Sequence, residues 1–205
     1  MADPATPDTQ HPTSGLLFIL SGPSGVGKDA AIKQLKSCCF PMHYAVTATT
    51  RPIRPGERAG EDYIFLTHEQ FDGMLARNEF LEHANVYGER YGTPKAQVLE
   101  PLAQGQDVLL KIDVQGADTV KDSMPGAIRI FLAPPSFSEL ESRLRERDRL
   151  TTSEETLLRR LHEAEAEMAH AGEFDHVVYN QRERLDEAVR QIQEIVLNEK
   201  RKREL

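Results

Sequence analysis

The chain has no tryptophan, only two cysteines and a shortage of positive charge, and each lack closes off a class of protein. The cysteines are the neighbours Cys38 and Cys39, a spacing that suits neither a structural disulfide nor a metal site, so reduced thiols are expected. Lys and Arg number 25 against 33 Asp and Glu, a net charge of −8, and a general nucleic-acid binder would need a basic face. No apolar run approaches the roughly 18 residues that span a bilayer. Residues 1–14 are polar and proline-containing, which reads as a disordered tail without a signal peptide and sets the expectation of a cytoplasmic protein.

What is present suits a soluble α/β protein. The 205 residues are 39% hydrophobic and 28% charged, enough for one sizeable core with inserted lobes. Short apolar runs at 16–20, 108–112, 128–132 and 177–179 read as buried parallel strands. Helical patterns cover 94–104, 136–147 and 152–171, and another starts at Leu185 and repeats through Val189, Ile192 and Val196. Thr152 and Glu155 have capping-box spacing. Alternating strands and helices imply a parallel sheet. Residues 44–93 differ, being rich in Thr, Tyr, Arg, Pro and Gly, and read as an inserted, partly β lobe. The charged stretch 143–155 reads as a mobile lid, and Lys200-Arg201-Lys202-Arg203 as a frayed, solvated helix end.

The first strand runs into Gly22-Pro23-Ser24-Gly25-Val26-Gly27-Lys28-Asp29 and then a helical stretch. Strand, glycine-rich loop and helix in that order make a phosphate-binding P-loop, normally G-x-x-x-x-G-K-[ST]. Its glycines let backbone N–H groups approach phosphate oxygens, the helix start adds positive potential, and Lys28 is placed for the β- and γ-phosphates of ATP. The eighth position is the exception: Asp29 stands where a Ser or Thr hydroxyl normally meets magnesium.

Further motifs narrow the reading. They are 47–63 (Thr-Ala-Thr-Thr-Arg-Pro-Ile-Arg-Pro-Gly-Glu-Arg-Ala-Gly-Glu-Asp-Tyr), Glu79–Glu82, Arg90–Pro94, Ile112–Ala117, Pro134–Ser136 and Val177–Asn180. Together with the loop they resemble the guanylate kinase family over roughly residues 15–197. The resemblance implies a P-loop NTPase core, a three-layer α/β/α parallel sheet formed by 15–43, 94–135 and 171–197. It also implies a GMP-binding lobe at 44–93 and a helical lid at about 136–170. The implied reaction is ATP + GMP → ADP + GDP, with Mg²⁺ carried by ATP, serving GTP synthesis and purine salvage. dGMP is an expected second acceptor. Partners beyond the small-molecule substrates, nucleic acid and membrane included, are not expected, and the protein is a monomer or homodimer.

By the resemblance, Arg51 and Arg54 clamp the GMP phosphate with hydroxyls from Tyr63 and Tyr91, and Glu57 belongs to the same site. The planar guanidinium fork matches phosphate oxygens bidentately. Thr47, Glu82 and Asp113 read guanine, with Thr93 near the base: carboxylates accept from N1–H and the 2-amino group, a donor pair that adenine lacks. Asn180 is expected near the adenine of ATP. Lid arginines close over the transferred phosphoryl group. Counting forward from Pro134-Pro135 selects Arg143 and Arg147, counting back from Glu154-Glu155 selects Arg145 and Arg149, and Arg160 on the next helix matches a family arginine.

Two positions depart from the family. Asp29 is one; the other is Lys111, where the family has Asp or Glu two residues before Asp113. A compensating exchange is expected, with Asp29 supplying charge for Mg²⁺ and Lys111 pairing with Asp29 or a phosphate. Two rivals share the motif set in part. Ribose 1,5-bisphosphate phosphokinase carries Asp after the loop lysine, but its substrate has no base for Glu82 and Asp113 to read. A non-catalytic guanylate-kinase-like interaction domain would typically show a degraded loop, whereas Gly22, Gly27 and Lys28 are kept.

Overall fold

Strand β1 (Leu17–Ser21) shows how the core is organised, because its side chains divide between two hydrophobic clusters. Phe18 and Leu20 join one, Leu17 and Ile19 the other, as the two-residue period of a strand buried on both faces requires. The computed structural model describes residues 15–86, 88–148 and 153–203. In chain order, β1 is followed by α1 (Lys28–Ser37), β2 (His43–Tyr44), β3 (Ala48–Thr49), β4 (Ile64–Phe65) and α2 (His68–Ala76). Then come β5 (Phe80–Val86), β6 (Glu89–Pro94), α3 (Ala96–Ala103), β7 (Val108–Lys111) and α4 (Val114–Ser123). The chain continues through β8 (Ile128–Ala133), α5 (Phe137–Asp148), α6 (Glu154–Ala169), a 3₁₀ turn (His170–Glu173), β9 (His176–Tyr179) and α7 (Leu185–Arg203).

The central sheet is parallel, in the order β2-β7-β1-β8-β9. Residues of α1, α5, α6 and α7 pack on the Phe18 face, and residues of α3 and α4 on the Leu17 face, giving three layers. The strand of the glycine-rich loop lies in the middle, so the loop opens at the carboxyl edge of the sheet, where ligands of open α/β sheets bind. The segment between β2 and α3 builds a second sheet, β4-β3-β6-β5, covered by α2. Its own core is small: Ala48, Phe71 and Phe80, with the two rings stacked at 4.4 Å. Among the described residues these three compare with 18 and 14 buried residues in the two central clusters. Such a lobe has less apolar burial to resist rearrangement.

The structure differs from the sequence reading at both lid and tail. Helix α6 is capped by Ser153, whose hydroxyl accepts from Thr156 N–H at 3.3 Å, one residue after the expected Thr152, which lies outside the described residues. A reciprocal capping box does exist, at the start of α2: Gln70 N–H donates to Thr67 Oγ1 and Thr67 N–H to Gln70 Oε1. Of the expected frayed end 198–205, residues 198–203 are instead helical, since α7 runs through Arg203, and 204–205 lie outside the described residues. Asp107, nearly buried beside β7, needs a cation, and Lys200 supplies it at 2.7 Å. The expected tail 1–14 lies outside the described residues. Cys38 and Cys39 are free and exposed, as expected.

Candidate active site

The glycine-rich loop turns through three left-handed glycines, Gly22, Gly25 and Gly27, with φ of 135°, 85° and 104°. Close packing reinforces the requirement: a Cβ on Gly22 would stand 2.2 Å from the Leu132 carbonyl oxygen, and one on Gly27 2.6 Å from Asn180 Nδ2. Lys28 opens α1, and its ammonium donates to the Gly22 carbonyl and, at 3.3 Å, to that of Pro23. Burial lowers its pKa, against the opposing pull of Glu167 and Asp29. Glu167 reaches the loop from α6: burial pushes its carboxyl up, while Lys28 and the Ser24 N–H hold it down.

The loop is braced from behind. Asn180, buried at the end of β9, donates from its amide to the Val26 carbonyl at 2.7 Å. Arg143 on α5 donates to the Asn180 carbonyl at 2.9 Å, to the Val26 carbonyl at 3.4 Å and to Glu139 at 3.1 Å. Both residues therefore hold the backbone of the loop in place.

The acceptor side is built between β3, β4 and β6. Arg51, 7% exposed, forks onto Glu57 with contacts of 2.8 and 2.5 Å, and Glu57 also accepts from the Arg54 N–H at 2.9 Å. This hydrogen-bonded pair raises the Arg51 pKa and lowers that of Glu57. Glu57 thus acts on Arg51, orienting its guanidinium 4.8 Å from the Tyr63 ring centroid. Tyr91 meets Tyr63 edge-on at 6.1 Å. Arg54 is exposed at the rim. One further cation reaches this group: Lys111 donates to Tyr63 OH at 3.2 Å and to Asp29 Oδ1 at 2.5 Å. Burial opposes its charge, but Asp29 and Tyr63 outweigh that and raise its pKa. The expected Asp29–Lys111 pair is therefore formed.

The carboxylates for a base come one from the lobe and one from the core. In the antiparallel pairing of β5 and β6, Glu82 stands opposite Thr93, whose hydroxyl donates to Glu82 Oε1 at 2.5 Å. Both are buried, as is Thr47 just before β3. Asp113 caps α4, accepting from Gly116 N–H at 2.7 Å. The two acids come together at Gly116, where a Cβ would lie 3.1 Å from Glu82 Oε2 and 3.1 Å from Asp113 Oδ1. Burial pushes the Glu82 carboxyl up to about 7, with Thr93 opposing and Asp113 adding to the shift.

Between the lobe, α4 and α6 lies a cleft of about 460 Å³, lined by Asn85, Asp113, Gln115, Arg159, Glu163 and Glu167 among others. Of these the sequence reading assigned only Asp113 and missed the other five, Asn85, Gln115, Arg159, Glu163 and Glu167. In the sequence, Arg159, Glu163 and Glu167 on an amphipathic helix look like a solvated face; Arg159 and Glu163 are indeed exposed along the open cleft, and only Glu167 is half-buried against the loop. Among the expected lid arginines, Arg160 is half-buried on α6 next to Arg159. Arg145 instead bridges Glu141 and Glu154 at the surface, joining α5 to α6. Arg147 lies in the last turn of α5, and Arg149 falls outside the described residues.

As for magnesium, no three His, Cys, Asp or Glu side chains among the described residues form a self-contained cage. A nucleotide-borne Mg²⁺ needs none, since phosphates and waters fill most of its shell beside one or two carboxylates. Asp29, 84% exposed in the first turn of α1, offers the hard oxygen donor such a site requires.

Comparison with known proteins gives one consistent answer. The family model described as guanylate kinase matches residues 14–199. A guanylate kinase of Gloeobacter violaceus is 46% identical over 189 residues, 92% of this chain and 90% of the relative. That of Rickettsia bellii is 41% identical over 189 residues, covering 92% and 97%. Among solved structures, guanylate kinase from Anaplasma phagocytophilum superposes with a TM-score of 0.71 at 31% identity, covering 91% of this chain and 87% of the other.

Proposed function

The chain belongs to the guanylate kinase family, and on that premise we propose how its residues divide the work of phosphorylating GMP from ATP. The observation that carries the reading is a chain of links between three groups: Lys111 joins Asp29 of the phosphate-loop helix to Tyr63 of the guanidinium–tyrosine cluster, and Asp113, which meets Glu82 at Gly116, is near enough to Lys28 to act on its charge. The loop 22–28 takes the ATP phosphates on its N–H groups, and Lys28 turns from its two carbonyl partners to the β- and γ-phosphates. Arg51, held by Glu57, clamps the GMP phosphate with Arg54 and the Tyr63 and Tyr91 hydroxyls. Glu82 and Asp113 accept from guanine N1–H and the 2-amino group, with the Thr47 and Thr93 hydroxyls beside them. Asn180 and Arg143 keep the loop rigid, which is also the position from which Asn180 would meet the adenine end of ATP. Arg147, Arg149 and Arg160 are assigned to the closing lid, whose arrival excludes water and favours transfer over hydrolysis.

Phosphoryl transfer asks the protein for positioning and charge neutralisation more than covalent chemistry. Mg²⁺ would be held by Asp29 beside the ATP phosphates and supply charge neutralisation there. Among the described residues no helix is long and apolar enough to cross a membrane. The enzyme is assigned to the cytoplasm, with its nucleotide substrates. Neither a base-free sugar bisphosphate nor a peptide ligand would use the paired acids at Gly116.

A panel of acceptors tests the assignment. With ATP and Mg²⁺, GMP and dGMP should yield ADP, while AMP, UMP and ribose 1,5-bisphosphate should react at least about 1,000-fold more slowly, because a site built on buried hydrogen-bonding groups rejects ligands that leave them unpaired. Equal turnover of AMP and GMP would contradict the roles of Glu82 and Asp113.

The Glu82 carboxyl adds a pH signature. A carboxylate that must accept a hydrogen from guanine works only when ionised, so the apparent KM for GMP should rise about fivefold between pH 7 and pH 6. Stability runs the other way. A carboxyl raised from 4.5 to about 7 by folding stabilises the fold below its unfolded value and loses that contribution as pH climbs through 7. Because the GMP phosphate also titrates near pH 6, Glu82→Gln serves as the control: its KM, higher throughout, should lose most of the pH slope. An unchanged slope in that variant would assign the effect to the ligand.

A further inference from the structure

Lys111 is the last residue of β7, in register with Leu20 of β1, which brings it beside the start of the phosphate loop. Its ammonium has two partners in different parts of the molecule: Asp29 Oδ1 on α1 of the core, at 2.5 Å, and Tyr63 OH in the inserted lobe, at 3.2 Å. It also lies 4.8 Å from the Tyr63 ring centroid, the same distance as Arg51. Charge compensation for Asp29 accounts for only the first contact. An ion pair with so exposed a carboxylate contributes little to stability.

The second contact has a chemical consequence. A tyrosine hydroxyl has one proton to give. Because its oxygen accepts from Lys111, that proton is directed away from the lysine, and an oxygen already accepting from a cation makes the O–H a stronger donor. Arg51 and Tyr91 flank the same ring, so the proton has an anion-binding neighbourhood to point into.

We propose that Lys111 is a positioning residue for the acceptor phosphate: through Tyr63 it orients and polarises the hydroxyl that receives GMP, and through Asp29 it ties the acceptor lobe to the donor loop. This rests on the reading of Arg51, Tyr63 and Tyr91 as the GMP phosphate site. It also gives the departure at Lys111 a task beyond neutralising Asp29, since a carboxylate at this position could not donate to Tyr63.

The test is a double-mutant cycle read by GMP calorimetry, ATP calorimetry and steady-state kinetics on the full chain. Lys111→Gln should weaken GMP binding and raise its KM about tenfold, the worth of one charge-assisted hydrogen bond, with ATP affinity within about twofold of native. Tyr63→Phe should do the same, and Lys111→Gln/Tyr63→Phe should be no worse than either single change. Lys111→Arg, which keeps a cationic donor where glutamine leaves only a neutral one, should retain most of the GMP affinity. The proposal is overturned if Lys111→Gln leaves GMP binding unchanged, or if the two effects multiply. It is equally overturned if GMP and ATP affinity fall together with the melting temperature, which marks a structural role. A native protein that binds no GMP would overturn the functional reading and this proposal together, whereas native binding with an indifferent Lys111→Gln overturns the proposal alone.

Discussion

Lys28→Met is expected to lower GMP-dependent ADP formation by about 1,000-fold in kcat, close to 4 kcal/mol of transition-state stabilisation. The lysine is the one ammonium on the glycine loop itself, poised on two loop carbonyls that it can exchange for phosphate oxygens. The residue is half-buried, and the desolvation of its charge lowers its pKa, so the attraction it offers to phosphate is less screened than at the surface. The methionine keeps most of the apolar stem, and removal of a desolvated charge should leave the melting temperature within a few degrees of native. Kinetics and a thermal melt measured together check this. Loss of activity with loss of fold would point to a structural lysine instead.

Arg51→Ala should cost at least about 100-fold in kcat/KM for GMP, mainly through KM, with ATP affinity nearly unchanged. Truncating one partner of a hydrogen-bonded, nearly buried charge pair typically costs about 2–5 kcal/mol, and here the lost partner is also the fork expected to grip the phosphate. Its orientation depends on Glu57, which takes two guanidinium nitrogens at once. Arg51→Lys should recover little, because a point charge cannot satisfy Glu57 and a phosphate in the same plane. Glu57→Gln should fall between native and Arg51→Ala. Steady-state kinetics with GMP and ATP varied separately distinguish these outcomes, and a loss confined to ATP would remove Arg51 from the acceptor site.

The small core of the inserted lobe bears on how such a site could work. Ala48, Phe71 and Phe80 hold together the sheet that carries Thr93 and Glu82 and is flanked by Arg51 and Tyr63. Lys111 is a specific polar tie between that lobe and the core. A lobe with so small a core of its own has less to resist a shift as substrates arrive, while Asn180 and Arg143 hold the backbone of the glycine loop.

By itself the sequence determined the features that local pattern dictates. The runs at 108–112 and 128–132 are apolar at nearly every position because both faces of those strands are covered, and that was legible before any fold was known. The glycine loop was equally plain, since left-handed turns and close backbone approach at Gly22 and Gly27 admit almost no other residue. The short strands β2, β3 and β4, each two residues long, carry too little pattern to announce themselves, and their pairing comes from neighbours distant in the chain. Helix α2, with its own capping box, was hidden inside a stretch whose overall composition reads as extended.

The site divides along the same line. Residue types and spacing singled out Arg51, Tyr63, Glu82 and Asp113, but not that Glu57 would be spent on Arg51, nor that Asn180 and Arg143 would brace the loop. Glu167 looks like a solvated helix position until α6 is laid beside the loop, where it is half-buried near Lys28 and the Ser24 N–H. Lys111 and Asp29, 82 residues apart, are two isolated departures in the sequence. Only the parallel register of β7 with β1 puts an ammonium next to a carboxylate and a tyrosine from the other lobe, because contact between charges depends on distance in space and not along the chain.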